Sequence, residues 1–134
     1  MKEHISFDPV EGVVIAIALE ADELTEEKWN VFLINNNPFV LTNVLITSKG
    51  YGEHEGNIVK TSVLRHMFAE VGPKEAVKVE PIDPGIFHLT NEYWVSYYIG
   101  QKIYDKKYVF VPGSMLPEHL VDIGILNTKG VLHT

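Results

Sequence analysis

Valine and isoleucine fill 28 of the 134 positions, while alanine fills only 5. A β-branched side chain carries two heavy atoms on Cβ. It loses χ1 freedom against a helical turn and little on a pleated strand. Fourteen aromatic residues weight the chain the same way. Glycine, proline and asparagine interrupt the apolar runs at short intervals, which is the pattern of an all-β sandwich or barrel. The chain is long enough to bury a core without staples. It has no cysteine, so disulfides, thiolate metal sites and cysteine nucleophiles are excluded.

Individual segments carry the reading further. Residues 12–19 predict a strand with Val13, Ile15, Ile17 and Leu19 toward the core and Val14, Ala16 and Ala18 on the other side. Residues 29–35 are apolar on both faces and predict an interior strand. Asn35, Asn36, Asn37 and Pro38 predict a turn, because asparagine tolerates left-handed φ and proline presets φ. Residues 39–48 predict the next strand, and the glycine-rich run at 49–56 a flexible hairpin loop. Residues 57–71 predict a strand, with a helix from Ser62 to Val71 as the alternative. Val77 and Val79 alternate with Lys78 and Glu80 in another strand, and residues 81–89 form a turn-rich connection. The sharpest local signal is a hairpin of residues 92–99 and 102–111 around Gly100-Gln101, where a leading glycine suits a type II′ turn. That register sets Tyr97 against Tyr104, Tyr93 against Tyr108, Trp94 against Lys107 and Ser96 against Asp105. A last strand is expected within 119–126, then a turn at 127–130 and an extended tail.

Together these give one domain over residues 1–134: an all-β, immunoglobulin-like antiparallel β-sandwich of seven to nine strands, with room for one short helix. The formal net charge is −7. Residues 1–27 hold one basic residue, Lys2, and eight acidic ones, whereas residues 28–134 hold ten of each. The acidic N-terminal segment 1–27 therefore carries the whole net charge, and the body is neutral. That balance argues against general nucleic-acid binding and against an anionic membrane surface. The apolar run 13–19 is far shorter than the roughly 20 residues of a membrane span, and no secretory pattern precedes it. Without cysteine, the expected location is cytoplasmic.

Five stretches carry a resemblance. They are Trp29 to Asn35 (WNVFLIN), Ser48 to Gly52 (SKGYG), Lys60 to His66 (KTSVLRH), Glu92 to Ser96 (EYWVS) and Tyr104 to Tyr108 (YDKKY). Across residues 29–111 the chain resembles a group of small uncharacterised bacterial proteins, some catalogued as a phenylalanyl-tRNA synthetase subunit. The resemblance implies no catalytic residue. The residues give the synthetase label no support: the one arginine is Arg65, and the β-type chain is too short for an adenylate-forming core. An accessory module linked to such a synthetase remains an open alternative.

Candidate chemistry is sparse. Gly50, Gly52 and Gly56 are spaced one residue off the dinucleotide fingerprint, and Glu53 and Glu55 would repel a phosphate. Glu53, His54 and Glu55 are the candidate metal ligands of a small metal-dependent protein or enzyme, with His66 or His88 as added ligands. None of the six histidines has the H-x-H or H-E-x-x-H spacing that sets two imidazoles on one metal. His66 is expected as a hydrogen-bonded core residue. Ser114 lacks the nucleophile elbow, and Ser96 beside Asp105 has no histidine with it. On the hairpin, Trp94, Tyr98 and Lys107 form a candidate binding surface, with Lys107 over the Trp94 ring as a cation–π pair. The plain alternative buries both hairpin faces. The expected function is a non-catalytic binding or interaction module with no cofactor, engaging a protein partner or a second copy of itself.

Overall fold

A computed structural model of the chain describes residues 10–20 and 28–134. The loop or helical turn expected at residues 21–28 falls almost wholly outside the described residues, as do the acids of residues 1–9. Ten strands are described. They are β1 (Val13–Leu19), β2 (Trp29–Asn35), β3 (Leu41–His54), β4 (Asn57–Lys60) and β5 (Leu64–Val71), then β6 (Glu75–Ile82), β7 (Thr90–Ile99), β8 (Lys102–Phe110), β9 (Val121–Ile123) and β10 (Thr128–His133). Three short 3₁₀ turns complete the secondary structure, at Pro84–Ile86, Pro117–His119 and Gly124–Leu126. No α-helix occurs among the described residues, so none is long and apolar enough to cross a membrane.

The strands form two antiparallel sheets, an all-β sandwich. The first runs β6-β2-β1-β10-β9. The second runs β4-β3-β7-β8, with β5 also paired to β3. One core fills the space between them: Ile15, Ile17, Val31 and Leu33 from the first sheet meet Val44, Ile46, Tyr93, Val95 and Tyr108 from the second. Two ties cross between the sheets. The buried Tyr108 hydroxyl donates to the Val13 carbonyl at 2.6 Å. Asn35 of β2, fully buried, donates to the carbonyl of Val71 at the end of β5 at 3.3 Å, and to those of Phe39 at 2.8 Å and Gly72 at 3.0 Å just outside the strands.

The structure corrects several expectations. There are ten strands, against the seven to nine expected, because the residue 57–71 stretch divides into β4 and β5 and the tail forms a strand of its own, β10. Residues 49–54 are strand and not a flexible loop: β3 runs on through them and turns tightly at Glu55-Gly56, both at positive φ. Their glycines are packing positions, Gly50 against Asn91 and Thr61, and Gly52 against Leu89. The segment that wavered between helix and strand is β5, extended throughout. The expected tail is β10, an interior strand between β1 and β9. The strand expected within 119–126 shrinks to Val121–Ile123, flanked by 3₁₀ turns. The far face of β1 is buried as well, where Val14, Ala16 and Ala18 pack with Ile34, Ile123 and Leu126.

Candidate functional site

The hairpin of β7 and β8 forms in the register read from the sequence, with Gly100 at φ 60° in its turn. Strand alternation then sorts its side chains by face. Tyr93, Tyr97 and Tyr108 point inward and are buried, while Trp94 points outward and keeps 47% of its surface exposed. Burial of both hairpin faces therefore does not hold. Trp94 sits in a cross-strand row between Thr47 of β3 and Lys107 of β8. The Lys107 ammonium lies 5.3 Å from the Trp94 ring centroid. Tyr98, half-buried, lies four residues along the same strand and faces Ile103.

Beside this row lies a carboxylate that the sequence reading missed. Glu92 is buried on the same outer face. Its oxygens lie 3.6 Å from the Lys49 ammonium and 3.9 Å from that of Lys107, and the Tyr51 hydroxyl donates to it at 3.1 Å. A buried carboxylate is costly unless paired, and two cations and a phenol supply the pairing. Burial, then the hydrogen bond to Glu92 and its charge, raise the Tyr51 phenol above its ordinary range. Lys107 thus serves two neighbours, the Glu92 carboxylate and the Trp94 ring. Lys49 and Tyr51 alternate along β3, a signal visible only once residues 49–54 are recognised as strand.

Next to Glu92 the outer face dips into a groove of about 670 Å³ between Lys49, Tyr51, Glu53, Ile58, Lys60 and Glu92. A bulge shapes it. β3 pairs first with β5 and then with β4, and the partner strand gains one residue at positions 61–63. Thr61 repairs the gap: its Oγ1 accepts from the Gly50 N–H at 2.7 Å, and its own N–H donates to the Gly50 carbonyl at 2.9 Å. The groove and the Trp94 row therefore form one continuous surface, to which Glu53 belongs.

The other proposed ligands are not gathered here. Glu53 and His54 are successive strand residues on opposite faces of β3, and Glu55 lies in the turn. The His54 ring instead lies 5.4 Å from that of His88. Among the described residues, no three His, Asp or Glu side chains are grouped closely enough to hold a metal ion. His66 is hydrogen-bonded as expected but only half-buried, with its Nε2 2.7 Å from Glu80 Oε1. The Ser48 hydroxyl donates to the same oxygen at 2.8 Å. Serine activation needs the histidine between hydroxyl and carboxylate. Here the carboxylate lies in the middle, so the cluster ties β3, β5 and β6 together and does not build a nucleophile. Ser114 donates its hydroxyl to the Val111 carbonyl at 2.6 Å within a turn.

No family model matches the chain, and no curated protein matches it.

Proposed function

We propose that the chain is a non-catalytic, cytoplasmic binding module that holds a protein partner against the outer face of the β3-β7-β8 sheet. The observation that carries this reading is Trp94, exposed on the outer face of the sheet between β3 and β8 and covered on one side by Lys107. Tryptophan is the residue type most enriched at interface anchors, and leaving it in water forfeits apolar burial that a partner would recover. Met67 and Ile103, 70% and 45% exposed, extend the apolar surface. Lys49, Lys60, Arg65 and Lys107 stand on the same face and outnumber its acids, Glu53, Asp105 and the already paired Glu92. That pattern suits a partner surface with apolar groups ringed by carboxylates.

We also read the sandwich as immunoglobulin-like. The orders β1-β2-β6 and β3-β7-β8 match the A-B-E and C-F-G orders of that fold, and β4 and β5 lie where variable-type domains add strands.

Affinity capture from native lysate, comparing the wild type with Trp94→Ala and Lys107→Glu, tests the function. A partner retained by the wild type should bind Trp94→Ala roughly 30-fold more weakly, as for an anchor worth about 2 kcal/mol. Unchanged circular dichroism would show that the sheet persists. Equal retention by all three proteins, or none by the wild type, would overturn the reading.

A further inference from the structure

Away from the Trp94 face, a second cavity enters the flank of the sandwich. It has a volume of about 310 Å³ and lies where β6 of the first sheet meets β3, β5 and β7 of the second. A bulge in β6 shapes it. Phe32 pairs with Lys78, but its neighbour Val31 pairs with Glu80, so Val79 is an extra residue. Unbroken alternation would send Glu80 outward, opposite to the buried Val79. The bulge turns Glu80 to the interior instead, beside its core-facing partner Val31.

Glu80 arrives there without a lysine or arginine partner. Its side chain is 11% exposed, and a single oxygen, Oε1, takes the contacts from Ser48 at 2.8 Å and His66 at 2.7 Å. Its Oε2 has no partner among the described residues. Two more buried polar groups at this cavity are in the same condition. Asn91, 4% exposed, donates its Nδ2 to the carbonyls of Ile86 at 3.0 Å and Leu89 at 3.3 Å. Those bonds fix the amide's orientation and leave Oδ1 unbonded among the described residues. Tyr93, 2% exposed, has a hydroxyl with no hydrogen-bond partner among the described residues. Burial and then the charge of Glu80 raise that phenol, which sets the carboxylate near it. All three side chains line the cavity, and Asp83 stands at its exposed rim. Buried polar groups are normally paired, so three unpaired ones around one cavity point to a ligand.

Their pattern also defines the ligand's chemistry. Glu80 Oε2 and Asn91 Oδ1 are acceptors, and the Tyr93 oxygen can accept as well. Glu80 and Asp83 bring negative charge. Lys49 touches the cavity, but its ammonium lies 3.6 Å from Glu92 on the opposite face of β3. A phosphate or carboxylate would be repelled. An anionic, acceptor-rich cavity matches a group with several donors, a positive charge and no acceptor, which is an ammonium. We propose that this cavity binds a small primary amine in its protonated form, held by Glu80, Asn91 and Tyr93. The site uses no residue of the Trp94 surface, so it is independent of the protein-partner reading.

Heteronuclear NMR titration of the full chain with diaminobutane tests it. Butanediol lacks the charge, and tetramethylammonium lacks the N–H donors. The amine should bind and shift the amide signals of Gly50, Ser62 and Asn91, and neither control should. Glu80→Gln keeps an acceptor for Ser48 and His66 but removes the charge, and should weaken binding at least tenfold. Tyr93→Phe removes only the hydroxyl and should weaken it about fivefold. Trp94→Ala should bind the amine as the wild type does, so the two readings fail separately. Absence of shifts at about 10 mM diaminobutane, ten times a millimolar Kd, would overturn the proposal. So would shifts confined to the acidic stretch 1–27, which would mean charge attraction alone. Equal affinity for butanediol, or a folded Glu80→Gln that binds as tightly as the wild type, would overturn it too.

Discussion

Tyr108 shows how much one side chain does here. It faces inward from β8, and its hydroxyl donates to the Val13 carbonyl of the opposite sheet. A buried carbonyl that loses its donor keeps the cost of its desolvation, while the ring's packing is unaffected by removal of one oxygen. Tyr108→Phe should therefore lower unfolding stability by about 1–2 kcal/mol. Urea denaturation would read this as a lower midpoint at unchanged slope. A midpoint equal to the wild type would show that the bond contributes nothing net. The sequence made the pairing of Tyr93 with Tyr108 legible, because hairpin register follows from local turn chemistry. It could not reveal Val13, 95 residues away in sequence, as the hydroxyl's partner. The same division runs through the candidate site. Trp94 beside Lys107 is a local pair and was readable. Glu92 draws its partners from β3, and the glycines of that stretch mimic a loop.

Those glycines matter at the scale of the element. β3 has 14 residues and serves as spine for β5, β4 and β7. Composition alone cannot separate a glycine that frees a loop from one that admits a neighbour. Gly130 poses the same problem in β10. Asn127-Thr-Lys-Gly130 has the composition of a turn, yet Thr128 to Gly130 pair with β9, and Gly130 lies opposite Ala18 of β1. A Cβ there would stand 2.5 Å from the Ile17 carbonyl oxygen and 2.7 Å from the Ala18 Cα, both backbone atoms. Neither can yield without parting β10 from β1. Gly130→Ala should thus cost at least the roughly 1–3 kcal/mol of an overpacked core site, read as a lower melting temperature. Gly100→Ala is a control of a different kind, since nothing approaches Gly100 and only its positive φ would be strained. If Gly130→Ala melted with the wild type, β10 could not be held this closely against β1.

For the whole molecule, the acidic segment changes meaning. It is not an arm beside the sandwich, because its middle is β1, the central strand of the first sheet. Glu11 and Glu20 flank seven apolar residues, and Asn37 donates to the Glu11 carbonyl at 3.1 Å. Charge asymmetry was legible in the sequence, but its position in the fold required the strand order. The titration that reports on the whole fold lies instead in the inward tyrosines. Burial, followed by the charge of Glu80, raises the Tyr93 phenol, and burial followed by Tyr97 raises that of Tyr108. Burial and then Tyr104 push Tyr97 up to about 12. In the unfolded chain each phenol ionises near its ordinary value of about 10. Above that pH the unfolded chain releases protons that the folded chain keeps, so the equilibrium shifts toward unfolding. The stabilisation tied to these phenols is complete below about pH 10 and is lost as pH rises through the folded values. Phenolate absorbance near 295 nm should show these three tyrosines silent in the native protein while the unfolded chain in urea titrates all six. Their ionisation should coincide with the loss of β-sheet circular dichroism. Six phenols titrating together near pH 10 with the sheets intact would mean that the inner faces of β7 and β8 are open to water, and the sandwich described here would be wrong at its core.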